Sequence, residues 1–196
     1  MPSLKSAVKR NDGALFQSIL EPLGPAERLA AVNERRTGGA TFLHQAVQRG
    51  FVEICKLLIA EGALLNPQDN SGQSPVLAAI CKATNKPISI DCIEVLLAAG
   101  ADVHTSTHRQ QTALHMASRR GLLEVCQCLL KYGANLEQFD AWGLAPIHDA
   151  AAKGQTIVVE SMIVEYGMSV DHLDSDNNTV KSVAQDHLML LIANPQ

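Results

Sequence analysis

Aromatic residues are scarce: four Phe, two Tyr and a single Trp in 196 residues, 4% of the chain. The core must therefore be built from smaller aliphatic side chains, and the abundant Ala and Leu point to helices packed closely through small residues. Neither sign of charge dominates, with 16 basic against 20 acidic side chains and a net charge of -4. That balance denies the chain the bulk positive potential of a nucleic-acid binder and is too small for an acidic-tail protein. No stretch approaches 18 consecutive apolar residues, so no membrane partner is expected. The start, Met1-Pro2-Ser3-Leu4-Lys5, lacks the apolar region of a secretion signal. Five cysteines (Cys55, Cys81, Cys92, Cys126 and Cys128) make an odd count without any Cys-x-x-Cys. Cys126 and Cys128 stand too close along one helix to face each other. A secreted disulfide framework does not fit, and the expectation is reduced thiols in the cytosol or nucleus. The 46% of apolar residues is enough for a core, since a chain of this length buries roughly 70% of its unfolded surface.

A repeat of about 33 residues organises the chain. Gly39-Ala40-Thr41-Phe42-Leu43-His44-Gln45-Ala46 aligns with Gly72-Gln73-Ser74-Pro75-Val76-Leu77-Ala78-Ala79. The same register holds for Gln110-Gln111-Thr112-Ala113-Leu114-His115-Met116-Ala117 and Gly143-Leu144-Ala145-Pro146-Ile147-His148-Asp149-Ala150. Start-to-start spacings are 33, 38 and 33 residues. A second apolar helix follows each segment and closes on Gly62-Ala63, Gly100-Ala101, Gly133-Ala134 or Gly167-Met168. Thr or Ser before the first helix, with Pro tolerated in its first turn, starts three of the four units. Gly50, Gly121 and Gly154 supply the turn between helices in three units, and a Gly just past the second helix ends all four. The second unit carries an insertion around Ala83–Ser89, and the fourth has one extra residue near Glu165.

These segments resemble the ankyrin repeat, whose opening reads Gly-x-Thr-Pro-Leu-His-x-Ala and whose close reads Leu-Leu-x-x-Gly-Ala. The resemblance covers roughly residues 37–178 and gains its specificity from recurring in several copies. It implies an all-α solenoid of stacked helix-turn-helix units joined by β-hairpin loops, with a capping unit at each end. The expected layout is a single domain over 1–196, with an N-terminal cap at 4–36, repeats at 37–69, 70–107, 108–140 and 141–174, and a C-terminal cap at 175–196. No unit hides its apolar face alone, so stability comes from stacking.

His44, His115 and His148 occupy one repeat position. Stacked units lie ~8–10 Å apart, and metal ligands must sit ~2 Å from a common ion, so one shared metal site is excluded. The family's use of this histidine is structural, with the imidazole tying backbone turns together within each repeat. No nucleophile elbow, phosphate loop or His-Glu-x-x-His is present; neither enzyme activity nor a cofactor is expected.

The resemblance implies that partners dock on the hairpin tips and on the exposed face of each first helix. Carried over by position, the helix contributions are Gln48 and Arg49, Cys81 and Lys82, Arg119 and Arg120, and Ala152 and Lys153. The second member of each pair is basic, with Arg10 at the matching place in the cap, which predicts a positive stripe suited to an acidic partner segment. Tip positions include Asn70, His108, Arg109 and Trp142, the last three residues after Phe139. A large aromatic in an exposed turn is a frequent binding anchor; the alternative is that Trp142 folds back over its own hairpin. The last sixty residues hold nine acidic and two basic side chains, read mainly as a solvated cap. The apolar run 188–193 beside that acidity is a candidate association surface or the edge of a longer protein. Asn66 looks like the asparagine that hydroxylases modify in this family, although Leu64 and Leu65 depart from the usual preceding pair.

The function that follows is a non-catalytic protein-interaction module or adaptor. Two more specific roles within the family stand beside it. A substrate-recognition part of a ubiquitin ligase would need a cullin-adaptor motif, which the residues after 184 do not supply. An inhibitor would mask a kinase or transcription-factor surface.

Overall fold

The computed structural model describes residues 3–81 and 88–183. They form two compact units, divided between Thr105 and Ser106. In the first lie α1 (Leu4–Arg10), α2 (Gly13–Leu20), α3 (Pro25–Val32), a 3-10 turn (Thr37–Gly39), α4 (Phe42–Arg49), α5 (Val52–Ala60), α6 (Pro75–Cys81) and α7 (Ile90–Ala98). The second contains α8 (Ala113–Arg119), α9 (Leu123–Lys131), α10 (Pro146–Ala152), α11 (Thr156–Val164) and α12 (Val180–Val183). The described chain is thus all-helical. The expected β-hairpins reduce to isolated antiparallel bridges, Ser106 with Thr112 and Leu173 with Thr179.

Helices pack by kind. In the first unit, α1, α4 and α6 stack in order as first helices, and α2, α5 and α7 stack as second helices. In the second unit, α8, α10 and α12 repeat the first pattern while α9 packs on α11. Close approach of first helices follows from alanine at one repeat position, because Ala46, Ala79, Ala117 and Ala150 are all buried. Leu43, Val76, Leu114 and Ile147, each three residues earlier, are buried with them. Phe16 and Phe42 are the bulkiest fully buried side chains, and burial of a side chain this size contributes ~1.5–3 kcal/mol.

Residues 4–36 hold a stacked pair, α1 and α2, that behaves as a repeat without the Thr-Pro-Leu-His opening, and then a third helix, α3. At the other end Thr179 accepts the Ser182 N–H at 3.0 Å and starts α12, as the register of a fifth unit requires. The apolar run 188–193 and most of the insertion in the second repeat lie outside the described residues. Ser89, at the end of that insertion, caps α7 by accepting the Cys92 N–H. The extra residue of the fourth unit is absorbed at the end of α11. There Gly167 and Met168 donate four and six residues back, where Gly62 and Ala63 donate three and five back.

The shared histidines do more than bind turns within a repeat. The Thr41 N–H and hydroxyl both lie within hydrogen-bonding distance of His44 Nδ1, at 3.1 and 2.9 Å. A backbone N–H can only donate, so Nδ1 accepts and the ring proton sits on Nε2, which donates to the Gln73 carbonyl at 2.9 Å. His115 repeats this with Thr112 on one side and the Leu144 carbonyl on the other. Each imidazole therefore joins its own helix start to the loop of the next repeat. Burial lowers the pKa of His44, His115 and His148, against the raising effect of the carbonyl each ring faces. In the second repeat Leu77 cannot do this, and the Ser74 hydroxyl instead reaches the Thr105 hydroxyl at 2.8 Å. His148 keeps only half of the arrangement: Nε2 donates to the His172 carbonyl at 3.0 Å, but Ala145 offers no hydroxyl and Nδ1 has no partner.

Candidate functional site

The tips of the loops are built by one device. Asp140 is buried, and its Oδ1 accepts the N–H groups of Trp142 and Leu144 at 2.9 and 3.1 Å. Asp69 does the same for Ser71 and Gln73, and Asp174 for Asp176 and Asn178. Thr107 substitutes a hydroxyl, accepting from Arg109 and Gln111. A side-chain oxygen satisfying two N–H groups sets the turn without a strand ladder. At Asp174 burial works to raise the pKa, but the hydrogen bonds from Asn178 and Asp176 outweigh it and lower the value. Sequence reasoning missed these four residues, although their common register was there to be read.

Successive tips are also joined. The Asn70 N–H donates to the Gly38 carbonyl, Ala141 to Arg109, and Ser175 to Gly143, at 2.9–3.0 Å. Gly143 has φ +72°, and a Cβ there would collide with the Ser175 side chain, so glycine is required for the close approach. The tips are consequently preformed, which lowers the ordering cost of binding a partner.

On this frame the 139–142 tip carries aromatic surface. Trp142 is 47% exposed and Phe139 40%. The Arg109 guanidinium lies 5.3 Å from the centre of the Trp142 ring, and Phe139 stacks on His172 at 6.3 Å. Such a cation–ring contact is worth ~0.5–1 kcal/mol at an exposed site. His108 and Asn70 are exposed on their own tips.

The basic residues of the expected stripe fall elsewhere. Arg120 and Lys153 are exposed C-caps of α8 and α10, at the end of each first helix opposite its tip. A seven-residue helix of roughly 10 Å separates them from the loops. A cation at a helix C-terminus also complements the helix dipole. Arg49, exposed at the end of α4, donates to the Lys9 carbonyl at 3.2 Å, and Arg10 ends α1 in the same way. Lys82 lies outside the described residues. Arg119 is committed to packing: its Nε and Nη2 donate to Asp149 Oδ1 at 3.0 and 2.8 Å, tying α8 to α10. Burial raises the Asp149 pKa and Arg119 only partly offsets it, while Oδ2 has no partner.

The geometry thus separates aromatic tips from basic helix ends. Among the described residues no cluster of three or more His, Cys, Asp or Glu fits a metal ion, and no helix is long and apolar enough to cross a membrane. The family model for ankyrin repeats in three copies matches residues 4–107 and 83–174. The chain belongs to the ankyrin-repeat family. Ankyrin-repeat proteins are in general protein-binding, non-catalytic modules. The match reaches into residues 4–36, in keeping with the α1–α2 pair acting as a repeat. Similar ankyrin-repeat proteins include Inversin of Canis lupus familiaris, 36% identical over 93 residues, which is 47% of this chain and 8% of Inversin. The B-cell lymphoma 3 protein homolog of Mus musculus is 36% identical over 102 residues, 52% of this chain and 22% of that protein. Ankyrin repeat domain-containing protein 63 of Homo sapiens is 28% identical over 144 residues, 72% of this chain and 37% of its own length. The aligned part therefore spans well under half the length of these relatives. Asn66 is exposed, and its Oδ1 accepts the Asp102 N–H at 2.9 Å.

Proposed function

We propose that this chain is a non-catalytic adaptor that docks a segment or domain of another protein, with the tip at 139–142 as its anchor. The observation that carries the reading is Trp142, half exposed on a loop pinned by Asp140, with Arg109 across its ring. An aromatic so placed presents a large contact area at little conformational cost, and an arginine beside it favours an acidic partner segment. Arg120 and Lys153 extend that preference to a partner long enough to reach the helix ends. Arg119 contributes through the fold. Five cysteines without a disulfide fit work in the cytosol or nucleus.

The test is affinity capture with the unaltered protein, Trp142→Ala, and Arg120→Glu with Lys153→Glu, side by side with quantitative mass spectrometry. Truncating a true anchor weakens binding by at least about 2 kcal/mol, roughly 30-fold, so a defined protein set should be lost with Trp142→Ala while Tm stays within about 2 °C. Retention of the same set by all variants refutes the assignment. A large fall in Tm shows instead that Trp142 serves its own hairpin. Assaying a captured protein's activity with and without this chain then separates an adaptor from an inhibitor.

A further inference from the structure

Cys55 on α5 and Cys92 on α7 are both fully buried, and their sulfurs lie 3.9 Å apart. That is van der Waals contact, and a disulfide bond of ~2.05 Å needs the two sulfurs to close by only about 1.9 Å. The two residues come from adjacent repeats, 37 positions apart in the chain. They are not at the same repeat position: aligning Gly62-Ala63 with Gly100-Ala101 places Ile54, not Cys55, opposite Cys92. The pairing is therefore a product of how α5 and α7 pack.

We propose that Cys55 and Cys92 form a redox-modification site, at which a hydroperoxide converts the thiol pair into a disulfide that staples α5 to α7. Several features set this pair apart. Cys92 lies in the first turn of the nine-residue α7, with its N–H donated to Ser89 Oγ at 3.4 Å. Cys55 directs its S–H at the Cys92 sulfur, which lowers the Cys92 pKa and raises that of Cys55, while burial raises both. The Ser89 side chain and the Cys55 S–H both favour the thiolate form of that sulfur, and the Cys55 thiol already lies against its target. The same two helices border an open groove of about 510 Å³, lined in part by Lys56 and Asp91, the chain neighbours of Cys55 and Cys92. Neither sulfur lines that groove, so a peroxide held there meets the pair when α5 and α7 part locally. By contrast, burial pushes the Cys126 thiol up to about 11, and Cys128 is two residues away on the same helix.

The chemistry balances as follows. Cys92 loses its proton to solvent, and its thiolate attacks one oxygen of the hydroperoxide. An S–O bond forms, the O–O bond breaks and hydroxide leaves, so the sulfur is oxidised by two electrons to a sulfenic acid. The Cys55 sulfur then attacks the Cys92 sulfur; the S–S bond forms, the S–O bond breaks, and the departing hydroxide takes the Cys55 proton and leaves as water. With hydrogen peroxide the sum is two thiols and one peroxide giving one disulfide and two waters. The loop closed by the new bond contains the tip at 69–73 and α6, so oxidation fixes the first two full repeats against each other. A thiol reductant reverses the step.

The experiment uses the full chain, freed of reductant and treated with a few equivalents of hydrogen peroxide. Thiols are then blocked with an alkylating agent under denaturing conditions, and the digest is analysed by mass spectrometry without reduction. The expected result is a mass loss of about 2 Da and a linked peptide joining Cys55 to Cys92 in most chains, removed by dithiothreitol. Closing a loop of this length should raise Tm on the order of 5–10 °C. In Cys55→Ala, Cys92 should stop at a sulfenic acid that dimedone traps; the mass readout on the unaltered chain stands whether or not this variant folds. Full alkylation of both cysteines after peroxide treatment overturns the proposal. So does a Cys92 sulfenic acid that persists beside an intact Cys55, or a disulfide joining any other pair.

Discussion

Removing the Arg119 side chain tests whether that residue belongs to the fold or to a binding face. Asp149 is a buried carboxylate, its side chain 3% exposed, and both hydrogen bonds to its Oδ1 come from Arg119, whose side chain is 39% exposed. Breaking a fully buried pair from one side costs about 3–5 kcal/mol. Because water reaches Arg119 and would replace part of what it supplies, we expect about 2 kcal/mol for Arg119→Ala at pH 7. The assay is urea unfolding followed by the fluorescence of Trp142, the single tryptophan, which lies in the same compact unit as the pair. At an m-value of about 2 kcal/mol/M, the midpoint should fall by about 1 M with m unchanged. The double variant Arg119→Ala with Asp149→Asn should lose at least about 1 kcal/mol less than the sum of the single losses, because neither leaves the other stranded. The pH response gives a second reading. A carboxyl whose folded pKa is raised is favourable to folding at low pH, and that favour is lost as pH rises through the folded pKa. Losing Arg119 raises the folded pKa further, so the damage should be greatest at neutral pH and shrink toward the ordinary 3.8. A single variant within about 0.5 kcal/mol of the parent, or losses that simply add, would refute the reasoning.

Two further outcomes follow from the histidine arrangement. Ala145→Thr supplies the hydroxyl that Thr41 and Thr112 give their histidines and that His148 Nδ1 lacks; it should stabilise the second unit by about 1 kcal/mol in the same urea assay, and an unchanged midpoint counts against it. His44, His115 and His148 are buried with lowered pKa values, so below their ordinary 6.5 the unfolded chain takes up protons that the folded chain refuses. Stability is then fully present above about pH 6.5 and falls as pH drops through the lowered folded values, by up to about 1.4 kcal/mol per histidine per pH unit. His115→Asn should flatten that slope in the Trp142-reported transition, and an equal slope in both proteins would show that His115 does not set it.

Much of the fold is legible in the residues because each repeat is specified locally. Ala46, Ala79, Ala117 and Ala150, with the glycines that end the helices, state where helices begin, stop and approach, and those signals need only a few neighbours. The place of Trp142 on a tip is legible for the same reason. What the chain does not display are partners some thirty residues away. Arg119 looks like one more basic residue at a groove position until α10 sets Asp149 against it. The family's histidine reads as a tie within a repeat, yet its second nitrogen reaches a carbonyl 29 residues on, in the next loop.

The repeat period, the all-helical class and the positions of the tips were thus determined by sequence alone, since hydrophobic spacing and turn chemistry act over short stretches of chain. The separation of aromatic tips from basic helix ends, the burial of Asp149 and the contact between Cys55 and Cys92 were decided only by tertiary structure. Each depends on how one repeat lies on the next, and side chains from different repeats acquire a common environment only when stacking removes the water between them.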